Sequence, residues 1–418
     1  MNVSKMAATL IGSEIIKIGG EVNEMIRKGK QICNLTIGDF DPSIYPIPAE
    51  LQQEILKAYQ EGYTNYPPAN GEAPLRDAVS SFLKTWGNLD YTANDILVAG
   101  GSRPLIYAAY LALIDPGDKV VFPVPSWNNN HYCHLSGAEP VMVETSPENN
   151  FMPTAAEIAP HLKGATLLAL CSPLNPTGTV FSKKDLEEIC DLVIVENKSR
   201  PEGSKPLYIL YDQVYWMLTF GETNHYDPVN LRPELKEYVV YIDGISKALA
   251  ATGVRVGWSF GPAHVLDKMK AILGHVGAWA PKAEQVATSK YIIQKDLLGS
   301  FLSSYKQKLQ QSLDALYHGF RQLKDEGLPV DAISPMGAIY LTVKVDINGR
   351  KTAAGKTIAN SMDATSYLLE EANLAMVPFK AFGSSAESTW FRLSVGAASQ
   401  ETILASLPRL KEALQKLN

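Results

Sequence analysis

The sequence predicts an α/β protein, a mostly parallel sheet flanked by helices, with a smaller α+β domain after it. Three observations predict this. From about residue 50 to residue 325, helical and strand patterns alternate, and strands separated by helices pair in parallel through right-handed crossovers. The strand patterns are short apolar runs, such as Leu207-Tyr208-Ile209-Leu210-Tyr211, as expected of buried strands. After Pro329 the rhythm changes to a few strands and helices that no longer alternate in this way.

Composition sets the outer limits. The chain has 418 residues, 46% hydrophobic and 20% charged, ordinary for a globular protein of about two or three domains. A net charge of -6 without a basic stripe argues against nucleic acid as a main partner. Met1 to Gly20 does not read as a signal peptide. No window reaches the roughly 18 uninterrupted apolar residues of a membrane span. Cys33, Cys133, Cys171 and Cys190 are scattered without CxxC spacing, which predicts reduced thiols and a cytoplasmic location.

The elements follow in order. Pro74 to Trp86 is amphipathic and helical. Pro104 to Asp115 is a second helix, with proline in the first turn, where no amide is needed. Lys119 to Phe122 is a strand, Trp127 to Leu135 a helix ending at Gly137, and Val141 to Val143 is extended. Leu162 to Cys171 leaves a helix and enters a strand. Ser182 caps a helix running through Glu196, with Asp185 supporting its first turn. Strands then end near Asp212 and Asp243, and a third covers Val256 to Phe260. Glu284 to Leu323 is helical and suits a long connection between domains. Beyond Pro329, Ala338 to Val345 and Phe391 to Val395 are strands, while Ala364 to Ala372 and Gln400 to Leu417 are helices. Ser199 to Pro206 and Asn348 to Gly355 are surface loops.

Chemistry-bearing residues collect at or just past the carboxyl ends of these strands, where open α/β sheets build ligand crevices. Lys247 follows Tyr238-Val239-Val240-Tyr241-Ile242, Asp212 ends Leu207-Tyr208-Ile209-Leu210-Tyr211, and Asn175-Pro176-Thr177-Gly178 follows Thr166 to Cys171. A lysine amine with a carboxylate partner for a pyridinium nitrogen is what pyridoxal 5'-phosphate (PLP) requires. Lys247 is the expected covalent attachment point and proton carrier. Asp212 would keep the pyridine nitrogen protonated. Tyr215 and Asn175 would bond the phenolic oxygen. Gly100-Gly101-Ser102-Arg103 before the Pro104 helix offers amides and a helix dipole to the phosphate. Arg255 offers a cation to the same group, and Trp127 a face for the ring. Each has a plainer reading: a solvated lysine, a turn aspartate or asparagine, a core tyrosine or tryptophan, a simple Gly-Gly turn. It is their joint occurrence that points to a cofactor.

The chain also resembles the fold type I, class I/II PLP-dependent aminotransferases of the aspartate aminotransferase superfamily. The resemblance runs through Ile37-Gly38-Asp39-Phe40, Asn65-Tyr66-Pro67-Pro68 with Gly71 and Pro74-Leu75-Arg76, and Asn175-Pro176-Thr177-Gly178. It continues through Asp212-Gln213-Val214-Tyr215, Ser246-Lys247 with Gly253 and Arg255, Pro335 to Tyr340, and Phe391-Arg392-Leu393-Ser394. It implies a seven-stranded large-domain sheet. It implies an arm and part of the small domain over 1–46, a large domain with the interdomain helix over 47–325, and a small domain over 326–418. It also implies a homodimer in which Tyr66 reaches the partner's phosphate. Ser246 is implied as a cofactor ligand, Gly38 as part of the turn at the substrate carboxylate, and Arg392 as the fork for that carboxylate. The substrates implied are an amino acid, aspartate- or aromatic-type, and a 2-oxo acid, 2-oxoglutarate by analogy, exchanged by ping-pong kinetics.

Three positions depart from the family pattern. Gly244 stands where many relatives carry a serine, Val254 where many carry tryptophan, and Ala278-Trp279-Ala280-Pro281-Lys282 replaces a Ser/Asn-Pro pattern near the expected side-chain pocket. A PLP-dependent C-S lyase or synthase on the same fold is the alternative reading, and a non-enzymatic regulator a remote one that lacks a DNA-binding segment. His131 and His134 share a helical face without a second ligand pair, so no metal is expected. Ser303-Ser304-Tyr305-Lys306 matches SxxK without companion motifs.

Overall fold

The computed structural model describes residues 3–12 and 14–418. Its centre is a seven-stranded sheet built from β1 (Ile96–Ala99), β2 (Lys119–Val124), β3 (Glu139–Glu144), β4 (Ala165–Cys171), β5 (Tyr208–Asp212), β6 (Val239–Gly244) and β7 (Gly257–Phe260), in the order β1-β7-β6-β5-β4-β2-β3. Strands β3, β2, β4, β5 and β6 pair in parallel. β7 runs antiparallel to both neighbours. The sequence expectation of parallel pairing therefore fails at Val256 to Phe260. Residues 245–256 between β6 and β7 hold a single short helix, Ile245–Ala248, at the lower limit of what a parallel crossover needs and without the long helix that usually carries one.

One apolar cluster fills one face of the sheet, through Val121, Leu168, Ile209 and Tyr241; a second fills the other, through Phe122, Leu167, Leu210 and Ile242. That alternation along each strand is why the runs read as continuously apolar. β1 had no reading from sequence, because four apolar residues after the turn Ala93–Asp95 carry no period of their own.

A second, antiparallel sheet consists of β8 (Val330–Ala332), β9 (Tyr340–Val345), β10 (Val377–Pro378) and β11 (Trp390–Ser394), in the order β10-β11-β9-β8. The expected helices appear as Ser361–Glu371 and Gln400–Gln415. The chain's early segment joins this part: Cys33 and Asn34 pair with Leu374 and Ala375, and Leu35 and Phe40 enter the same core as Leu341 and Phe391.

The long helical stretch is two helices, Lys282–Ile292 and Lys295–Asp325, broken at Ile293 and Gln294. The first packs on the helices Ala49–Gln60 and Ala73–Gly87. The second places Leu298 and Leu302 in the large core and Leu309, Leu313, Leu316 and Phe320 in the small one. Different packing partners demand different directions, which one straight helix cannot supply.

Candidate active site

The carboxyl ends of β1, β2, β4, β5 and β6 open into a cavity of roughly 430 Å³. Gly38, Ser102, Arg103, Trp127, Asn175, Asp212, Tyr215, Ser246, Lys247, Arg255 and Arg392 all line it. These are eleven of the thirteen residues expected from sequence. Gly101 sits just behind the wall. Tyr66 stands outside, 81% exposed, with its ring edge-on to Trp279 at 5.2 Å. The Ala278–Lys282 segment lies beside Tyr66 too: Gly100 N donates to Ala278 O at 2.8 Å and Lys282 Nζ to Asn65 Oδ1 at 3.0 Å. It does not line the cavity of this chain.

A cradle of a kind that suits an anion forms where β1 and β6 end and β7 begins. Gly101 precedes the helix Ser102–Leu113, whose first amides have no intrahelical partner. Arg255 is fixed beside it, donating to Thr252 O at 2.7 Å and Gly100 O at 2.8 Å. The approach is so close that a Cβ on Gly101 would run into the Arg255 guanidinium. A Cβ on Gly257 would sit 2.7 Å from the Gly101 carbonyl carbon and 2.9 Å from Ser102 N. One on Gly244 would sit 2.8 Å from Gly257 Cα. Backbones touch here, which explains glycine at 244 where a serine was the family expectation.

Lys247 emerges from the short helix after β6, and its Nζ donates to Gly38 O at 2.6 Å. Burial pulls its amine down to about 8; Arg392 and Arg103 push the same way, while Asp39 and Asp212 oppose them. Asp212, at the end of β5, is raised to about 6, chiefly by burial; the Val214 amide it accepts from and the charge of Lys247 act against this. Tyr215 and Tyr340 share a hydrogen bond of 2.6 Å between their hydroxyls.

Arg392 is 2% exposed and, among the described residues, pairs with no carboxylate. It donates through Nη1 to Asn175 Oδ1 at 3.0 Å and through Nη2 to Thr36 O at 2.6 Å, and its Nε is buried without a partner. The rings of Tyr340 and Phe382 lie 4.7 and 4.9 Å from it. A desolvated guanidinium without a counter-charge is costly, and a carboxylate entering the cavity would supply that charge. The cations lining the cavity are Arg103, Lys247, Arg255 and Arg392; the anions are Asp39 and Asp212. This imbalance suits a phosphate as well as a carboxylate.

Sequence reasoning missed Asp39, Thr252, Tyr340 and Ile15, which also line the cavity. Asp39 accepts from Thr252 Oγ1 and from Phe40 N. Asp39 and Tyr340 lay inside motifs already singled out, Asp39 directly after Gly38. Ile15 gave no signal, because only the folding back of the helix Glu14–Arg27 brings it there. His134 Nε2 lies 2.9 Å from Met6 O, and no group of three or more possible metal ligands occurs among the described residues. Ser303 and Lys306 of the SxxK match lie in the helix Lys295–Asp325, with Ser303 exposed and outside the cavity lining.

Comparison with known proteins places these observations in context. The family described as aminotransferase class I and II matches residues 30–409. The bifunctional aspartate aminotransferase and glutamate/aspartate-prephenate aminotransferase of Petunia hybrida is 30% identical over 405 residues, covering 96% of this chain and 80% of that protein. The crystal structure of the aspartate aminotransferase from Rhizobium meliloti superposes with a TM-score of 0.91 at 26% identity, covering 100% of both chains. The aspartate aminotransferase of Thermus thermophilus, solved with maleate, gives 0.86 at 25% identity over 99% of this chain and 100% of that one.

Proposed function

Because the chain belongs to the aminotransferase class I and II family and uses PLP, we propose that it moves an amino group from an aspartate- or aromatic-type amino acid to a 2-oxo acid, 2-oxoglutarate by analogy, with ping-pong kinetics. The observation that carries this reading is Arg392, a buried guanidinium with an unpartnered Nε and, among the described residues, no carboxylate bonded to it. The relatives named for aspartate and prephenate support the choice of donor.

When bound, PLP supplies an electron-withdrawing ring that stabilises negative charge at the substrate Cα. The residues present fit it. Gly101, Ser102, Ser246 and Arg255 would hold its phosphate, Asp212 its ring nitrogen, Tyr215 and Asn175 its phenolic oxygen, and Trp127 its face. Arg392 and Asn175 grip the substrate α-carboxylate, so the Cα–H bond has one orientation. Asp212, desolvated at the end of β5, stabilises a positive ring nitrogen placed against it. Lys247 takes the proton from Cα. With its amine near 8, about a tenth is neutral at pH 7, against about one part in 2,500 for an unperturbed lysine. Walls formed by Trp127, Tyr215 and Tyr340 keep water from the reacting atoms.

The wider arrangement is part of the proposal. Two copies share each site through Tyr66, whose exposure in the single chain leaves it free to reach a neighbour. The division at 1–46, 47–325 and 326–418 rests on the two sheets. Four cysteines without disulfides suit a cytoplasmic compartment, and among the described residues no helix is long and apolar enough to cross a membrane.

The test is a panel of amino acids added to the holoenzyme, with the visible cofactor band followed by spectroscopy. Aspartate or an aromatic amino acid should bleach it, with pyridoxamine phosphate accumulating, and Lys247→Ala should abolish both band and turnover. Pyruvate and ammonia in place of pyridoxamine phosphate would assign a lyase instead, and normal turnover by Lys247→Ala would overturn the mechanism.

A further inference from the structure

Tyr340 lines the cavity and has no task yet beyond excluding water. Its ring belongs to the small sheet, but its backbone is fastened to loops of the large one. Gly337 N donates to Gly178 O at 2.8 Å, Ala338 N to Leu218 O at 2.8 Å, and Thr342 Oγ1 to Thr177 O at 2.9 Å. Gly178 has a φ of +71°, and a Cβ there would run into the Tyr340 carbonyl oxygen. These contacts hold the start of β9 against the turn 175–178 on one side and the segment after Tyr215 on the other. The Tyr340 ring is 1% exposed and meets the Tyr215 ring edge-on, with centroids 5.5 Å apart.

The two hydroxyls lie 2.6 Å from each other, at the short end for an O–H···O bond. Each has a single proton to donate. Tyr215 is needed as a donor to the phenolic oxygen of PLP, so a Tyr215 proton turned towards Tyr340 would be lost to the cofactor. The surroundings favour the opposite direction. Burial raises both hydroxyls, Tyr215 well above its usual range and Tyr340 less, and the charge of Arg392 opposes burial at both. The Arg392 guanidinium carbon lies 4.7 Å from the centroid of the Tyr340 ring, and Lys247 Nζ 5.6 Å from that of Tyr215. Cys171 acts with burial at both tyrosines, and Asp212 at Tyr340. Arg103 lies instead on Trp127, 4.7 Å from that ring's centroid. The more acidic phenol is the better donor, and here that is Tyr340. A hydroxyl that accepts one bond while donating another is polarised into a stronger donor.

We propose that Tyr340 is a positioning residue: it donates to the Tyr215 oxygen, and so aims and strengthens the Tyr215 O–H as a donor to the phenolic oxygen of PLP. The assignment rests on the PLP-dependent reading given above and adds a residue of the small sheet to the control of the cofactor. Tyr340 touches no reacting atom in this role and acts only through Tyr215.

The test titrates the visible cofactor band of the substrate-free holoenzyme against pH, a spectroscopic readout that needs no turnover. A donor to the phenolic oxygen competes for its electrons with the proton on the nitrogen that links Lys247 to PLP, so it lowers the pH at which that proton leaves. Tyr215→Phe removes a whole charge-assisted bond and should raise the midpoint by about 1 to 2 pH units. Tyr340→Phe removes only the polarisation, about a tenth to a third of that bond, and should raise it by about 0.1 to 0.7 pH units. The double variant should match Tyr215→Phe. 3-Fluorotyrosine placed at position 340, a more acidic phenol of nearly unchanged shape, should lower the midpoint, and it serves as the test if Tyr340→Phe does not fold. An unmoved or lowered midpoint in Tyr340→Phe overturns the proposal; a lowered one would mean that Tyr215 had been donating to Tyr340. A double variant shifted beyond Tyr215→Phe overturns it too, because Tyr340 would then reach the cofactor by another path. A purely structural Tyr340 would lose stability in urea on substitution and leave the midpoint in place. If no amino acid bleaches the unsubstituted holoenzyme, the aminotransferase reading fails, while the titration still judges Tyr340.

Discussion

At the residue scale, the chemistry of this site comes from burying charge that has too few partners. Lys247 is drawn down to about 8 because its ammonium is desolvated among other cations. In the cofactor-free protein this costs stability. The unfolded chain, with an unperturbed amine near 10.4, binds more protons than the folded one between pH 8 and about 10.4, so stability rises with pH across that window and the full cost is present below it. Lys247→Met should therefore stabilise the cofactor-free protein at pH 7, by up to about 3 kcal/mol less the lost bond to Gly38. The advantage should shrink as pH climbs from 8 towards 10.4. Calorimetry at pH 7 and pH 10 checks this, and a constant difference would refute the burial account. Lys247 was legible because its neighbours in sequence form a motif. Asp39, whose charge also acts on it, lay in a motif already singled out, but only folding brings its carboxylate to the lysine.

At the element scale, the meeting of β1, β6 and β7 governs the cradle. Gly101, Gly244 and Gly257 allow three backbones to touch, and the obstacles to a Cβ at 244 or 257 are backbone atoms that cannot swing away. Gly244→Ser should not restore the hydroxyl contact common in relatives. We expect it to destabilise the fold by about 1–3 kcal/mol, as overpacking does, and to weaken PLP retention, measured by urea unfolding and by cofactor release on dialysis. Unchanged stability with tighter cofactor binding would show that the strands can part. Helices with strong end signals were readable: Ser182 accepts from the Asp185 amide at 3.1 Å, as its spacing suggested. The antiparallel direction of β7 was not, since an apolar run of this length looks the same in either direction. Nor was the break at Ile293 and Gln294, where no proline or glycine marks the bend.

At the scale of the whole molecule, the site needs both sheets. Tyr340 and Arg392 come from β9 and β11, Gly38 from the early segment, and Lys247 and Asp212 from the large sheet. The proposed dimer adds Tyr66 across the boundary, which mixing can test. Tyr66→Ala and Lys247→Ala homodimers should each be weak or inactive. Co-expressed, they should form mixed dimers with one intact site, carrying lysine from one copy and tyrosine from the other. Activity no higher than that of the parents would argue that Tyr66 serves its own chain.

The sequence by itself determined the strand-end residues of the large sheet, because a buried strand followed by a lysine, an aspartate or an Asn-Pro turn is local in the chain and leaves a local pattern. It determined the helices with caps and the change of architecture after Pro329 for the same reason. Only the tertiary structure decided that Arg392 lacks a counter-charge, that Arg103 lies on Trp127, that Ile15 and Asp39 join the cavity, and that β7 runs backwards. Each of these depends on which distant groups share a volume and how much water remains there. Burial and pairing of that kind arise from packing, and no spacing along the chain encodes them.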